Sequence, residues 1–149
     1  MQHRRVWIIR GLLACAFAST LLLAACGKDD PQARLQAAVA QLQEALEAKD
    51  ARAAMELVDE RFRMQGDLDQ RQARQTMLVV FQRYANIRIF AVGNNTRLDP
   101  DSPLTGYTDA QVLVTGAQGF IPERAEPYAV RMEWRQVDGN WKVYDLKWQ

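Results

Sequence analysis

Apolar positions recur along this chain with two periods, and the change from one to the other divides it. Leu35, Ala38, Val39, Leu42 and Leu46 lie three or four apart, the spacing that puts side chains on one face of a helix. Asp30-Pro31 marks its start, a capping side chain followed by proline at the first helical position, where the missing N–H is not needed. The pattern ends near Lys49, and Asp50 caps a second expected helix with Ala51, Ala54, Met55, Val58 and Phe62 on one side. After Gly66, Asp67 or Asp69 opens a third, from about Gln70 to Tyr84, with Ala73, Met77, Val80, Phe81 and Tyr84 at helical spacing. From Asn86 the period becomes two: Ile87, Ile89 and Ala91 alternate with Arg88, Phe90 and Val92, which predicts a strand with one apolar face. Gly93 to Gly106, with Asn94-Asn95, Pro100 and Pro103, reads as a loop of 14 residues. Three more strands are expected, Thr108 to Thr115, Tyr128 to Val137 and Trp141 to Trp148, the last two joined by the hairpin signal Asp138-Gly139. Pro122 and Pro127 are placed between strands, where a missing donor does no harm. The expected class is therefore α+β, three N-terminal helices covering one face of a four-stranded antiparallel sheet.

Ahead of the first helix the pattern is neither of these. His3, Arg4, Arg5 and Arg10 make a basic start with no acid before Cys26, and Gly11 to Ala25 is an apolar run of 15 residues. A spanning helix needs about 20 apolar residues, so the run fits an export signal better. An uncleaved anchor starting near Val6 is the alternative. Leu23-Ala24-Ala25-Cys26 resembles the lipobox of bacterial lipoproteins. That resemblance implies that residues 1–25 are a cleaved signal peptide and that Cys26 carries the lipid. Residues 26–31 are then the lipidated cysteine with a short tether, and 32–149 a single domain. The expected location is the bacterial cell envelope, lipid-anchored and facing the periplasm. Gly27, where an Asp would retain the protein, favours the outer over the inner membrane, although Lys28 acts as a retention signal in some bacteria. Four extended residues reach roughly 14 Å at most, which holds the domain near its bilayer.

Cleavage changes the chemical inventory. Cys15 and His3 leave with the leader, so the mature chain has one cysteine and no histidine. That excludes an internal disulfide, histidine-based nucleophile systems and histidine-ligated zinc. Removing Arg4, Arg5 and Arg10 leaves 16 basic against 18 acidic residues, which is not the charge of a nucleic-acid binder. Arg61, Arg63, Arg71, Arg74, Arg83, Arg88 and Arg97 nevertheless form a basic block; they face anionic headgroups or, the favoured reading, pair with Glu44, Glu47, Glu56, Asp59 and Glu60. Asp99 and Asp101 match the start of a calcium loop, but its third acid, glycine and final Glu are missing. No metal and no cofactor is expected.

Lys49-Asp50-Ala51 through Phe62, and above all Asp138-Gly139-Asn140-Trp141-Lys142-Val143-Tyr144, resemble the nuclear transport factor 2-like superfamily. The resemblance covers roughly Gln32 to Trp148 and implies a curved antiparallel sheet with helices in its concave face, the cone fold. That superfamily holds enzymes and non-catalytic binding domains alike, and none of its catalytic motifs maps onto this chain. From the residues alone, Asp109 or Asp145 is the candidate base, with Tyr84, Tyr107, Tyr128 or Tyr144 as donor. A binding reading uses Tyr128, Met132 and Trp134, which share a strand face with Val130, together with Met77, Phe81 and Tyr84 of the third helix; these line an apolar pocket or fill a plain core. Trp141 and Val143 are expected in the core. Arg131, Glu133 and Arg135 mark the opposite face, either solvated or the surface of a homodimer. The leading reading is a non-enzymatic, membrane-anchored domain that binds a small apolar ligand or a partner protein. The alternatives are an isomerase- or dehydratase-like enzyme using a carboxylate and a tyrosine, and a structural subunit of an envelope complex.

Overall fold

Backbone pairing in the second half of the chain extends well past the alternating segments. The computed structural model describes residues 30–118, 121–122 and 126–149; the expected leader, Cys26 and most of the tether lie outside the described residues. Helix α1 (Pro31–Glu47) and the short α2 (Ala51–Glu56) lead into strands β1 (Val58–Met64) and β2 (Leu68–Asp69), then helix α3 (Gln70–Arg83). Strands β3 (Asn86–Asp99), β4 (Ser102–Gln118), β5 (Ile121–Pro122), β6 (Glu126–Val137) and β7 (Asn140–Trp148) complete the chain. Among the described residues the sheet has the order β2-β1-β7-β6-β4-β3, with β5 paired to β4 off that path.

Local chemistry sets the element ends. The Asp50 carboxylate accepts from the Ala53 amide at 2.9 Å and opens α2. Asp69 accepts from the Gln72 amide while the Gln72 side chain accepts from the Asp69 amide, each at 2.9 Å, a capping box that opens α3. Lys49 donates to the carbonyls of Phe81 and Tyr84 at 3.2 and 3.1 Å, neutralising the acceptor end of α3 and tying it to the end of α1. Asp138 and Gly139 take φ of 49° and 78°, the left-handed pair that a two-residue hairpin requires.

The sheet differs from the expected four antiparallel strands in being larger and mixed. The second helix stops at Glu56 rather than Phe62, and Val58–Met64 forms β1, parallel to β7. The Leu57 carbonyl accepts from the Val143 amide at 2.8 Å, so β7 captures the backbone where the helix was expected to continue. The expected 14-residue loop is instead the end of β3 and the start of β4, joined by a turn at Pro100-Asp101. Its loop-forming residues are tolerated for local reasons: Gly93 sits at a break in register, and Gly106 receives a side chain from α1. Pro127 lies within β6, opposite Leu113 of β4. Ala129, of the same parity, bonds to Gln149 on the β7 side, so the missing Pro127 donor faces away from β4. Pro122 likewise lies in a strand, β5.

Helix α1 covers one face of the sheet and also guards its β3 edge. Gln32 bridges the Thr96 carbonyl (2.7 Å) and the Leu98 amide (3.1 Å). Gln43 donates to the Ile89 carbonyl and Glu47 accepts from the Ile89 amide, both at 2.9 Å. Side chains of the helix thus stand in for a further strand at both ends of that edge. The core beneath contains Leu35, Phe62, Met64, Trp134, Trp141 and Val143, with Leu35 and Trp134 fully buried.

Candidate functional site

Period two decides what faces α1. On β4 the even positions Thr108, Ala110, Val112 and Val114 point to the helix, and their partners across the sheet are Thr96, Asn94, Ala91 and Ile89 on β3 and Met132, Val130 and Tyr128 on β6. Ala91 and Ala110 are too small to reach α1. A cleft of about 400 Å³ results between the sheet and Val39, Leu42, Gln43 and Leu46 of the helix, with Leu146 and Trp148 along its side.

Two glycines of β4 bracket this space. A methyl group on Gly106 would overlap Leu35 of α1, and one on Gly116 would overlap the ring of Tyr84. Both side chains therefore rest directly on the strand backbone. Between them, from Thr108 to Val114, the helix and sheet stand apart.

Four polar groups on the cleft side form a relay of three hydrogen bonds. The Trp134 indole N–H donates to the Thr108 hydroxyl at 3.1 Å, the Thr108 and Thr96 hydroxyls lie 3.0 Å apart, and Thr96 donates to the Asn94 side-chain oxygen at 2.7 Å. Thr108 is fully buried, and the relay satisfies it.

Of the candidate pocket residues, the cleft brings together Tyr128 and Met132. Trp134 lies deeper, fully buried in the core. Met77 and Phe81 sit half-buried on α3, away from the cleft lining, and Tyr84 rests on Gly116. Gln43, Asn94, Thr108 and Ala110 also line the cleft; Asn94 falls in the segment expected to be a loop, Thr108 and Ala110 fall in an expected strand, and Gln43 falls in the first expected helix. The alternation of Ile87, Ile89 and Ala91 carried onward would point 93, 95 and 97 to the helix; the register break between Ala91 and Gly93 shifts the inward set to Asn94 and Thr96, which no local pattern signals.

The candidate bases occupy the other face. Asp109 accepts from Arg97 and Arg131, each at 2.7 Å, and those hydrogen bonds, Arg131 first, hold its carboxyl below the ordinary carboxylate range. Asp145 pairs with Lys147 at 3.0 Å. Tyr107 donates to Asp99 at 3.4 Å, and burial, with Glu133 nearby, raises its phenol above the usual value. Arg135 stacks on Tyr144. A hollow of about 790 Å³ borders residues of both faces, Asp109, Arg131 and Lys147 together with Asn94, Ala110, Val130 and Trp148 of the cleft side; its Arg131 and Lys147 are already paired with carboxylates. Within the basic block, Arg61 pairs with Asp59 (3.4 Å) and Arg88 with Glu47 (3.3 Å). Among the described residues no cluster of metal-binding side chains occurs.

Compared by sequence, the chain matches no family model and no curated protein. Its shape is shared by solved structures. A nuclear transport factor 2-like protein from Streptomyces avermitilis, provisionally named a dehydratase, matches with a TM-score of 0.67 at 13% identity, over 78% of this chain and 93% of that one. A protein of unknown function with a cystatin-like fold from Nostoc punctiforme matches with a TM-score of 0.61 at 12% identity, over 78% and 87%. Bd1075 of Bdellovibrio bacteriovorus matches with a TM-score of 0.65 at 12% identity, over 77% of this chain and only 40% of that longer protein. The fold is thus the α+β cone of nuclear transport factor 2-like and cystatin-like proteins.

Proposed function

We propose that this chain is a lipid-anchored domain of the bacterial cell envelope, held through Cys26 and favouring the outer membrane, that binds a small apolar ligand in the cleft between α1 and the sheet. One observation carries the binding part. The polar side-chain groups lining the roughly 400 Å³ cleft are those of Gln43, Asn94, Thr108 and Tyr128 and the indole N–H of Trp148, and none is a carboxylate, ammonium or guanidinium. A space of this size and polarity suits an uncharged or weakly polar small molecule. The enzymatic alternative paired Asp109 or Asp145 with a tyrosine; both carboxylates lie across the sheet from Tyr128 and from the cleft, which weighs for holding over turnover. The lipid anchor rests on the leader and on Cys26 alone.

Native mass spectrometry of the chain from Gly27 onward, purified from a periplasmic extract of its own host, tests the binding part. A co-purifying small molecule that is absent from an Ala110→Phe variant is the expected result. An empty protein that assembles with an envelope partner through its outer face would sink the reading in favour of the structural-subunit alternative. Metabolic labelling with a fatty acid tests the anchor separately: Cys26→Ala should abolish incorporation.

A further inference from the structure

The relay from Trp134 to Asn94 has a direction, and the direction selects a ligand. An indole nitrogen only donates, so Thr108 receives that proton with its hydroxyl oxygen. Thr96 gives its single proton to the Asn94 oxygen, so the contact between the two threonines must use the proton of Thr108. All three hydrogen bonds therefore run outward, from a fully buried indole to an exposed amide. The amide oxygen is held by Thr96, and a planar amide then turns its nitrogen, with two donors, to the opposite side. The Asn94 side chain forms no other hydrogen bond among the described residues. It lies in one cross-strand row with Ala110, Val130 and Trp148, at the border of the apolar cleft.

Resting on the proposal that the cleft binds a ligand, we infer that the occupant is an amphipath with an uncharged oxygen head, a ketone, ester or alcohol, which accepts a hydrogen bond from the Asn94 amide while its hydrocarbon lies along Ala110, Val112 and Val130. A donor-only head such as an alkylammonium meets two N–H groups there and is rejected. The buried tryptophan thus fixes head-group polarity through two threonines without touching the ligand. Thr96 acts as a positioning residue.

The experiment uses the full chain as its host makes it, in lipid nanodiscs, with two photoreactive octyl probes. One ends in a methyl ketone and the other in an ammonium, and labelling of cleft peptides is read by mass spectrometry. The wild type should be labelled by the ketone in preference to the ammonium. Asn94→Asp keeps the bond from Thr96 but removes the donors, and should cut ketone labelling roughly 3- to 10-fold while raising ammonium labelling. Thr96→Val frees the amide to rotate and should lower ketone labelling by a smaller factor, without the gain for ammonium. Ala110→Phe should abolish labelling by both probes. If Asn94→Asp leaves the head preference unchanged while Ala110→Phe abolishes labelling, the head-group inference is overturned and the cleft reading stands. If Ala110→Phe labels like wild type, the cleft reading itself fails.

Discussion

Neighbouring residues of β4 belong to two different surfaces. Thr108, Ala110 and Val112 face α1 and border an apolar space, on a strand whose backbone carries Leu35 at Gly106 and Tyr84 at Gly116. Tyr107, Asp109 and Gln111 face away, where Asp109 joins Arg97 of β3 and Arg131 of β6 in one cross-strand row of charge. Both surfaces use the same backbone and differ only in parity. Parity therefore sorts the chemistry: the largely apolar cleft lining is on one side, and the charged row is on the other. Asp109 points away from the cleft, and the two rows share a border only at the larger hollow, which touches residues of both.

The helix-covered face is itself divided into a packed floor and an open cleft, and the largest predicted effect tests that division. Trp134 is fully buried and its indole N–H supplies Thr108. Trp134→Ala should cost about 3–5 kcal/mol in urea unfolding. Trp148→Ala, at the half-buried side of the cleft, should cost clearly less. Equal losses would mean that the cleft is ordinary core. Next in size, Gly106→Ala should cost about 1–3 kcal/mol by forcing Leu35 off the strand. Combined with Leu35→Ala it should be less damaging than the two single changes added, by about 1 kcal/mol in a double-mutant cycle. Strict additivity would remove Leu35 as the stop at that end.

Much of the fold was legible, because helix caps and strand alternation are local. Asp50, Asp69 and Asp138-Gly139 act where the sequence places them. What failed was ambiguous on physical grounds. Val58 and Phe62 are four apart, a spacing that satisfies a helical face and, being even, a strand face as well; only the distant β7 decides between them. Gly93, Pro100, Pro103 and Gly106 carry loop chemistry, yet the register break at Gly93 and the seat for Leu35 at Gly106 exist only once strands and helix have met. The inward placement of Asn94, expected in a loop, depends on the same register break. Tyr128 and Met132 were readable as inward-facing from alternation, but whether they border space or core depends on how close α1 approaches, which no pattern within β6 records.

A smaller effect separates the sheet edge from the sheet faces. Hydrogen bonding by the Ile89 amide, followed by Gln43 and Arg88, lowers the Glu47 carboxyl below its ordinary value of 4.5. A carboxylate with a depressed folded pKa contributes stability above its unfolded pKa, and that contribution fades as pH falls from about 4.5 through the lowered folded value. Wild-type stability should therefore drop more steeply below that pH than Glu47→Gln stability does, measured as urea midpoints from pH 7 to pH 3. Identical slopes would show that the edge does not depend on this charge.

The smallest effect is expected at Asp109, and its smallness is informative. With Arg131 and Arg97 both donating to it, the carboxyl is held below its ordinary 3.8 and is ionised at neutral pH. A group so stabilised as an anion is a poor proton acceptor. Its partners are exposed, and pairs of this kind contribute little to stability. Asp109→Asn should move the urea midpoint only slightly and leave ketone labelling of the cleft within about twofold, since an exposed pair couples weakly to its surroundings. A carbon-detected NMR titration of the wild type should place this carboxyl below 3.8. Loss of labelling in Asp109→Asn, with the fold intact, would show that charge on the outer row reaches through the sheet to the ligand, and the separation by parity would have to be given up.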